Sequence, residues 1–207
     1  MLHVATCLWD ANDASNEFSR CYDESWVERL YRGFARNLTR PFRFVCFTDR
    51  LREFSPQILQ QPLTARPIAY GSFTEPYRLN EPMILVGLDT IIVRNIDHLA
   101  DYCLSADKIA LPRDFKHPDR SINGVALVPK GWRRIYDEWS GENDMEWLRN
   151  YPWRPLNDEF PAQVVSYKMD VRWRADVLPA EARIVYFHGK PKAQDLGHIG
   201  WVRDNWH

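Results

Sequence analysis

Three polar clusters stand directly behind apolar runs in this chain. Thr48-Asp49 follows residues 42–47, Gly87-Leu88-Asp89 follows 83–86, and His188-Gly189-Lys190 follows 183–187. A carboxylate, an imidazole and an ammonium suit one task together: meeting the negative charge that grows on a diphosphate as a bond to it breaks. Hard divalent cations take oxygen ligands, and manganese also accepts imidazole. Asp89 and His188 could bracket one such cation, manganese or magnesium, with Lys190 as a point charge for phosphate. Each residue also has a plainer reading. An Asp behind a strand often shapes a turn, and a lone His is often structural.

The elements that must position these groups are legible as short periodic runs. Residues 3–9 read as a first strand. A helix is expected over 23–37, with Asp23 or Ser25 as its cap and Val27, Leu30, Phe34 and Leu38 on its inner face. Arg29, Arg32, Arg36 and Arg40 recur on another face, which reads as solvated or as a patch for an acidic partner. Pro41 ends the helix, and 42–47 reads as a second strand. Residues 51–76 hold four prolines and read as loops with short elements. A short helix is expected at 77–81, strands at 83–86, 90–93, 108–111, 125–128 and 183–187, and a helix at 131–140. Residues 156–167 mix helix and turn, and the stretch after 187 reads as loop. Strands alternating with helices argue an α/β domain over 1–207 with a mainly parallel central sheet and helices on both faces. Such sheets bind ligands beyond the carboxyl ends of their strands, which is where the three clusters stand.

The bulk numbers fit this class. The chain has 207 residues, 45% hydrophobic and 27% charged, with a net charge of −1. That balance gives no global pull toward nucleic acid or anionic membrane. The longest apolar run, around 83–93, is broken by Asp89 and is shorter than the ~20 residues a span needs. No basic leader precedes the first strand, so a soluble, cytoplasmic protein is expected. Cys7, Cys21, Cys46 and Cys103 form no CxxC; Cys7 and Cys46 read as buried thiols. Nine Trp residues offer surfaces for sugar rings or bases, and they also fill cores.

Five segments taken together resemble the GT-A glycosyltransferases, especially family 8 and its small bacterial and phage-borne relatives. PMILVGLDTIIVRNIDHL is similar to that group's strand, DxD motif, second strand and tail. IVYFHGKPK resembles its C-terminal HGxxKP-type motif, and FRFVCFTD its second strand. SINGVALV is similar to FNSGVxxx, and Asn157-Asp158-Glu159 to Gly-Asp-Gln. The resemblance implies transfer of a sugar from a nucleotide-sugar, UDP-sugar favoured, to a hydroxyl of a carbohydrate or other acceptor, with retention of anomeric configuration. It implies that Thr6, Trp9, Thr48 and Asp49 hold base and ribose, and that Arg78, Gly189 and Lys190 serve the diphosphate. It places manganese on Asp89 and His188, and donor hydroxyls on Asn123 and Asp158. If the enzyme inverts, Asp158 or Glu159 is the candidate base.

One departure stands out: Gly87 occupies the place of the first DxD acid. It motivates a second reading, a non-catalytic nucleotide-sugar-binding protein. A third is a phage-type enzyme acting on modified DNA bases through the Arg29–Arg40 face, which the near-neutral charge opposes. A metal-dependent hydrolase lacks any HExxH or clustered His set.

Overall fold

Strand formation follows the runs of β-branched and aromatic residues. The computed structural model describes residues 1–15 and 17–207, so position 16 of the polar 10–22 stretch lies outside the described residues. The strands are β1 Leu2–Leu8, β2 Phe42–Thr48, β3 Ile58–Pro62, β4 Met83–Val86, β5 Thr90–Ile92, β6 Ile109–Leu111, β7 Val125–Val128, β8 Trp153–Pro155, β9 Val164–Ser166 and β10 Ile184–Tyr186. The α-helices are α1 Glu24–Asn37, α2 Asp97–Ser105, α3 Arg134–Asp137, α4 Asp144–Leu148, α5 Leu156–Glu159 and α6 Gly200–Asn205.

Seven strands form one sheet in the order β3-β2-β1-β4-β7-β6-β8. The pairs β3–β2, β2–β1, β1–β4 and β6–β8 are parallel; β4–β7 and β7–β6 are antiparallel. This is the mainly parallel sheet expected. A second sheet, β5-β10-β9, carries the C-terminal part.

The pleat sends alternate residues to opposite faces, and both faces are covered. On one, Leu2, Val4, Phe44, Ile84 and Leu127 pack against Trp26, Leu30 and Phe34 of α1 and Leu99 and Cys103 of α2. On the other, Ala5, Phe47, Leu85 and Val128 meet Tyr77, Ile135 and Leu148. Helix α1 is capped as expected: the Asp23 side chain accepts from Ser25 N.

Several expectations change. The loop region 51–76 contains β3, an edge strand, and the start of a 3-10 helix over Tyr70–Leu79, which absorbs the short helix expected at 77–81. The helix expected over 131–140 contracts to Arg134–Asp137. Helix α2 sits in what read as a tail, and α6 in what read as loop. The Arg face of α1 is not free. Arg29 lies 4.3 Å from the Trp206 ring, Arg32 Nε donates to the His207 carbonyl at 2.8 Å, and Arg36 donates to the Asn205 carbonyl. Arg40 pairs with Asp101 at 2.9 Å. Cys7, Cys46 and Cys103 are buried, and burial pushes their thiols up. Among the described residues no helix is long and apolar enough to cross a membrane.

Candidate functional site

Strand register brings distant segments together. Ala5 of β1 pairs with Leu85 of β4, so Trp9 leaves the sheet beside Gly87-Leu88-Asp89. Val86 pairs with Val125, and Gly87 N donates to the Gly124 carbonyl at 3.1 Å, which sets Asn123-Gly124 against the same turn. Tyr186 pairs with Thr90 on one side and Ser166 on the other. The next residue, Phe187, donates its N–H to the Asp89 carbonyl at 2.9 Å, so His188 emerges next to Asp89.

A cavity of about 590 Å³ opens at this junction. That is the size range of small-ligand sites. Its walls are largely apolar and aromatic: Trp9, Tyr22, Tyr70, Phe73, Phe115, Ile122, Met145 and Tyr186. Besides the Arg149–Asp114 ion pair at 3.7 Å, polar groups converge at two points.

The first point is Asp89. Its Oδ2 accepts from Tyr22 OH at 3.0 Å and from Lys192 Nζ. The Lys192 side chain is 7% exposed and its ammonium lies 5.6 Å from the Tyr22 ring. Burial and the Asp89 charge push the Tyr22 hydroxyl far up, so it stays a neutral donor. Gly189, at φ +66, supplies the left-handed turn that swings the chain after β10. Lys190 then faces solvent, while Lys192 turns inward, its N–H donating to Asp195 Oδ2 at 2.9 Å.

The second point is Asp144, the first residue of α4. Asn143 caps that helix, its side chain accepting from Met145 N at 3.0 Å. Asn123 Nδ2 donates to Asp144 Oδ2 at 2.8 Å. Burial raises the Asp144 carboxyl to about 6, against the pull of Asn123. Asn123 Oδ1 and Trp9 Nε1 are buried with no protein partner among the described residues. Both residues line the cavity, so both can take a ligand group.

His188 Nε2 shares a 2.9 Å hydrogen bond with Ser166 Oγ, and its ring stacks on Phe115 at 5.3 Å. Burial, then the Lys168 charge, lowers its pKa and keeps it neutral at pH 7.

The structure thus gathers Trp9, Asp89, Asn123, His188 and Gly189 of the expected residues around one cavity. The others stand elsewhere. Thr6 and Thr48 are buried in β1 and β2. Asp49 accepts from Asp10 N at 2.9 Å and from Arg52 at 2.7 Å. Arg78 holds Glu75 at 3.0 Å and covers the Phe47 ring at 4.9 Å. Asp158 is 60% exposed and pairs with Arg113; Glu159 pairs with Arg154. The Asn-Asp pair beside Asn123 is Asn143-Asp144, not Asn157-Asp158. Lys192 takes the inward place expected of Lys190. Tyr22, Asp144 and Lys192 were not singled out by sequence reading; only Lys192 lay inside a segment that carried the resemblance.

Asp89 and His188 line the same cavity, yet the donor set does not suit a hard dication. One Asp89 oxygen is already shared by an ammonium and a phenol. A positive side chain beside the carboxylate repels a second cation. His188 has one nitrogen engaged with Ser166. Among the described residues no group of three or more His, Cys, Asp or Glu gathers as a metal site.

Comparison with solved structures identifies the architecture. GlyE from Streptococcus pneumoniae TIGR4, a glycosyltransferase, superposes with TM-score 0.58 at 12% identity, over 94% of this chain and 56% of its own. The galactosyltransferase LgtC, solved with donor and acceptor sugar analogues, gives 0.57 at 13%, over 97% and 93%. The bifunctional glycosyltransferase WbbM gives 0.62 at 8%, over 98% and 48%. The fold is that of GT-A glycosyltransferases. This chain spans about half of the GlyE and WbbM chains and nearly all of LgtC. No protein-family model matches the chain, and no curated protein matches it in sequence.

Proposed function

We propose that this chain transfers a sugar from a nucleotide-diphosphate sugar, UDP-sugar favoured, to a hydroxyl of a carbohydrate or other acceptor, as the family 8 resemblance implies. The observation that carries this reading is the cavity at the carboxyl ends of β1 and β4. It joins an aromatic wall to the two polar points, Asp89–Lys192 and Asn123–Asp144. Trp9 and Tyr70 offer faces and polar edges to a base or sugar ring. Asn123 and Asp144 offer hydrogen bonds to donor-sugar hydroxyls. Lys192 offers an ammonium to the charge of the donor diphosphate.

In the transfer, the bond from sugar C1 to the phosphate oxygen breaks and its electron pair stays on the phosphate. The acceptor oxygen bonds to C1, and its proton passes to the departing phosphate. Retention by this route needs no strong protein base, which fits the placement of Asp158 and Glu159 in exposed ion pairs.

A thermal-shift screen of nucleotide-sugars tests the reading. A donor present at about 100 times its Kd stabilises the fold by about 2.7 kcal/mol, roughly 5–10 °C for a chain of this size. Hydrolysis of that donor, or transfer to an acceptor, separates an enzyme from a nucleotide-sugar-binding protein. A screen in which no nucleotide-sugar moves the midpoint refutes the donor site.

A further inference from the structure

The GT-A resemblance calls for a divalent cation at the turn after β4, and the residues there do not provide for one. We propose that the Lys192 ammonium is the resident cation of this site, so that a nucleoside diphosphate binds without any metal. The inference rests on the donor-site reading above and adds how the diphosphate charge is met.

Four observations converge. First, Lys192 is buried, and its Nζ bonds Asp89 Oδ2 inside the cavity wall rather than reaching into solvent. A buried ammonium needs a carboxylate partner, and Asp89 is that partner. Second, Tyr22 OH donates to the same oxygen, which fixes the carboxylate from the other side. A carboxylate held by two donors is poorly placed to wrap a dication. Third, position 87 brings no carboxylate to the turn, and a Cβ there would lie 2.9 Å from Asp89 Oδ1, so the Asp89 carboxylate would have to shift to admit one. Fourth, His188 is tied to Ser166 and flanked by the Phe115 ring.

An ammonium has three N–H donors, and Asp89 takes one. The remaining two can meet phosphate oxygens as they arrive. In a largely apolar wall, charge-assisted hydrogen bonds of this kind are strong. Asp89 then acts as a positioning residue: it holds Lys192 inward and does not ligate a metal.

The test is calorimetric titration of uridine, guanosine, adenosine and cytidine diphosphates into the full chain, in EDTA and again in excess manganese. The expected result is one preferred diphosphate, bound in EDTA within about threefold of its affinity in manganese. Lys192→Met should weaken that diphosphate by about tenfold or more, while the matching nucleoside without phosphates keeps its affinity. Lys192→Arg should retain most of the binding. A structural role alone would weaken nucleoside and diphosphate alike. Binding that appears only with manganese overturns the inference and leaves the donor site standing. The wild-type comparison needs no variant, so a misfolded Lys192→Met does not rescue the idea. If none of the four diphosphates binds in either buffer, the donor-site reading fails, and this inference fails with it.

Discussion

Asp144 shows how one residue's surroundings set its chemistry. Its carboxyl is raised from 3.8 to about 6 because burial penalises the charged form more than the Asn123 hydrogen bond favours it. A carboxyl whose folded pKa exceeds its unfolded pKa costs stability once it ionises. Wild-type stability should therefore fall as pH rises from about 4 to about 6, and stay lower above that. Asp144→Asn removes the cost and can still accept from Asn123. Urea melts should show the variant more stable by about 2–3 kcal/mol at pH 8 and level with wild type near pH 4. Donor binding should weaken in the same variant, since the proposed contact to sugar hydroxyls loses its charge. A variant no more stable at pH 8 than wild type would mean that Asp144 is not held as a strained, ionised group. Stability given up at a cavity wall is the usual mark of a residue kept for binding.

Elements decide which residues meet, and here the sequence was only partly readable. Runs such as HVATCL, FRFVCF and MILV announced β1, β2 and β4, because buried parallel strands are continuously apolar. Helix α1 announced itself through Asp23 and its apolar stripe. Helix α2 did not: its N-cap is Ile96, without a side-chain cap bond, and only Leu99, Ala100 and Cys103 turn inward. Asn143-Asp144 was hidden in a polar stretch whose meaning depends on β4–β7 pairing, a contact no local pattern encodes. Lys190 and Lys192 could not be told apart without the turn at Gly189. Element-scale organisation is also visible behind Asp49. Arg52, 1% exposed, bonds Asp49, Asp10 and Glu24 and so ties the ends of β1 and β2 to the start of α1. Arg50 and Arg52 hold the Asp10 carboxyl down to about 2. A depressed carboxyl contributes stability above its unfolded pKa of 3.8 and loses it as pH falls toward 2. Arg52→Met leaves Asp49 without its ion partner and Asp10 and Glu24 with Arg50 alone. It should cost about 2 kcal/mol at pH 7, less than a fully buried pair because Asp10 is solvated. The deficit should shrink below pH 4, measured by denaturant melts at both pH values. A deficit independent of pH would point to lost packing instead.

At the scale of the whole molecule, the question is what the basic face of α1 is for. Its arginines read in the sequence as solvated or as a patch for an acidic partner. In the folded chain Arg29, Arg32 and Arg36 hold the segment after β10 against α1. Trp206 meets Trp26 edge to face with ring centroids 4.9 Å apart, and Arg29 lies over the Trp206 ring. Arg32 and Arg36 take the carbonyls of His207 and Asn205, oxygens at and beyond the end of α6. Basic groups at a helix C-terminus satisfy such carbonyls and favour its dipole. This clasp ties the chain that runs on from the second sheet through His188 to the helix that covers the first. Arg32→Gln with Arg36→Gln should therefore lower the melting midpoint by roughly 2–8 °C, as expected for about one to two kcal/mol in a domain of this size. Because Arg32 and Arg36 donate to backbone oxygens rather than to carboxylates, much of that loss should persist in 0.5 M salt, where exposed charge pairs are screened. Neither wild type nor the double variant should retard duplex DNA in a gel. A nucleic-acid face predicts the reverse pattern, with DNA retained by wild type in low salt, released on substitution, and an unchanged midpoint. That result would move the arginines from the protein's own architecture to a partner, and with them the reading of the acceptor.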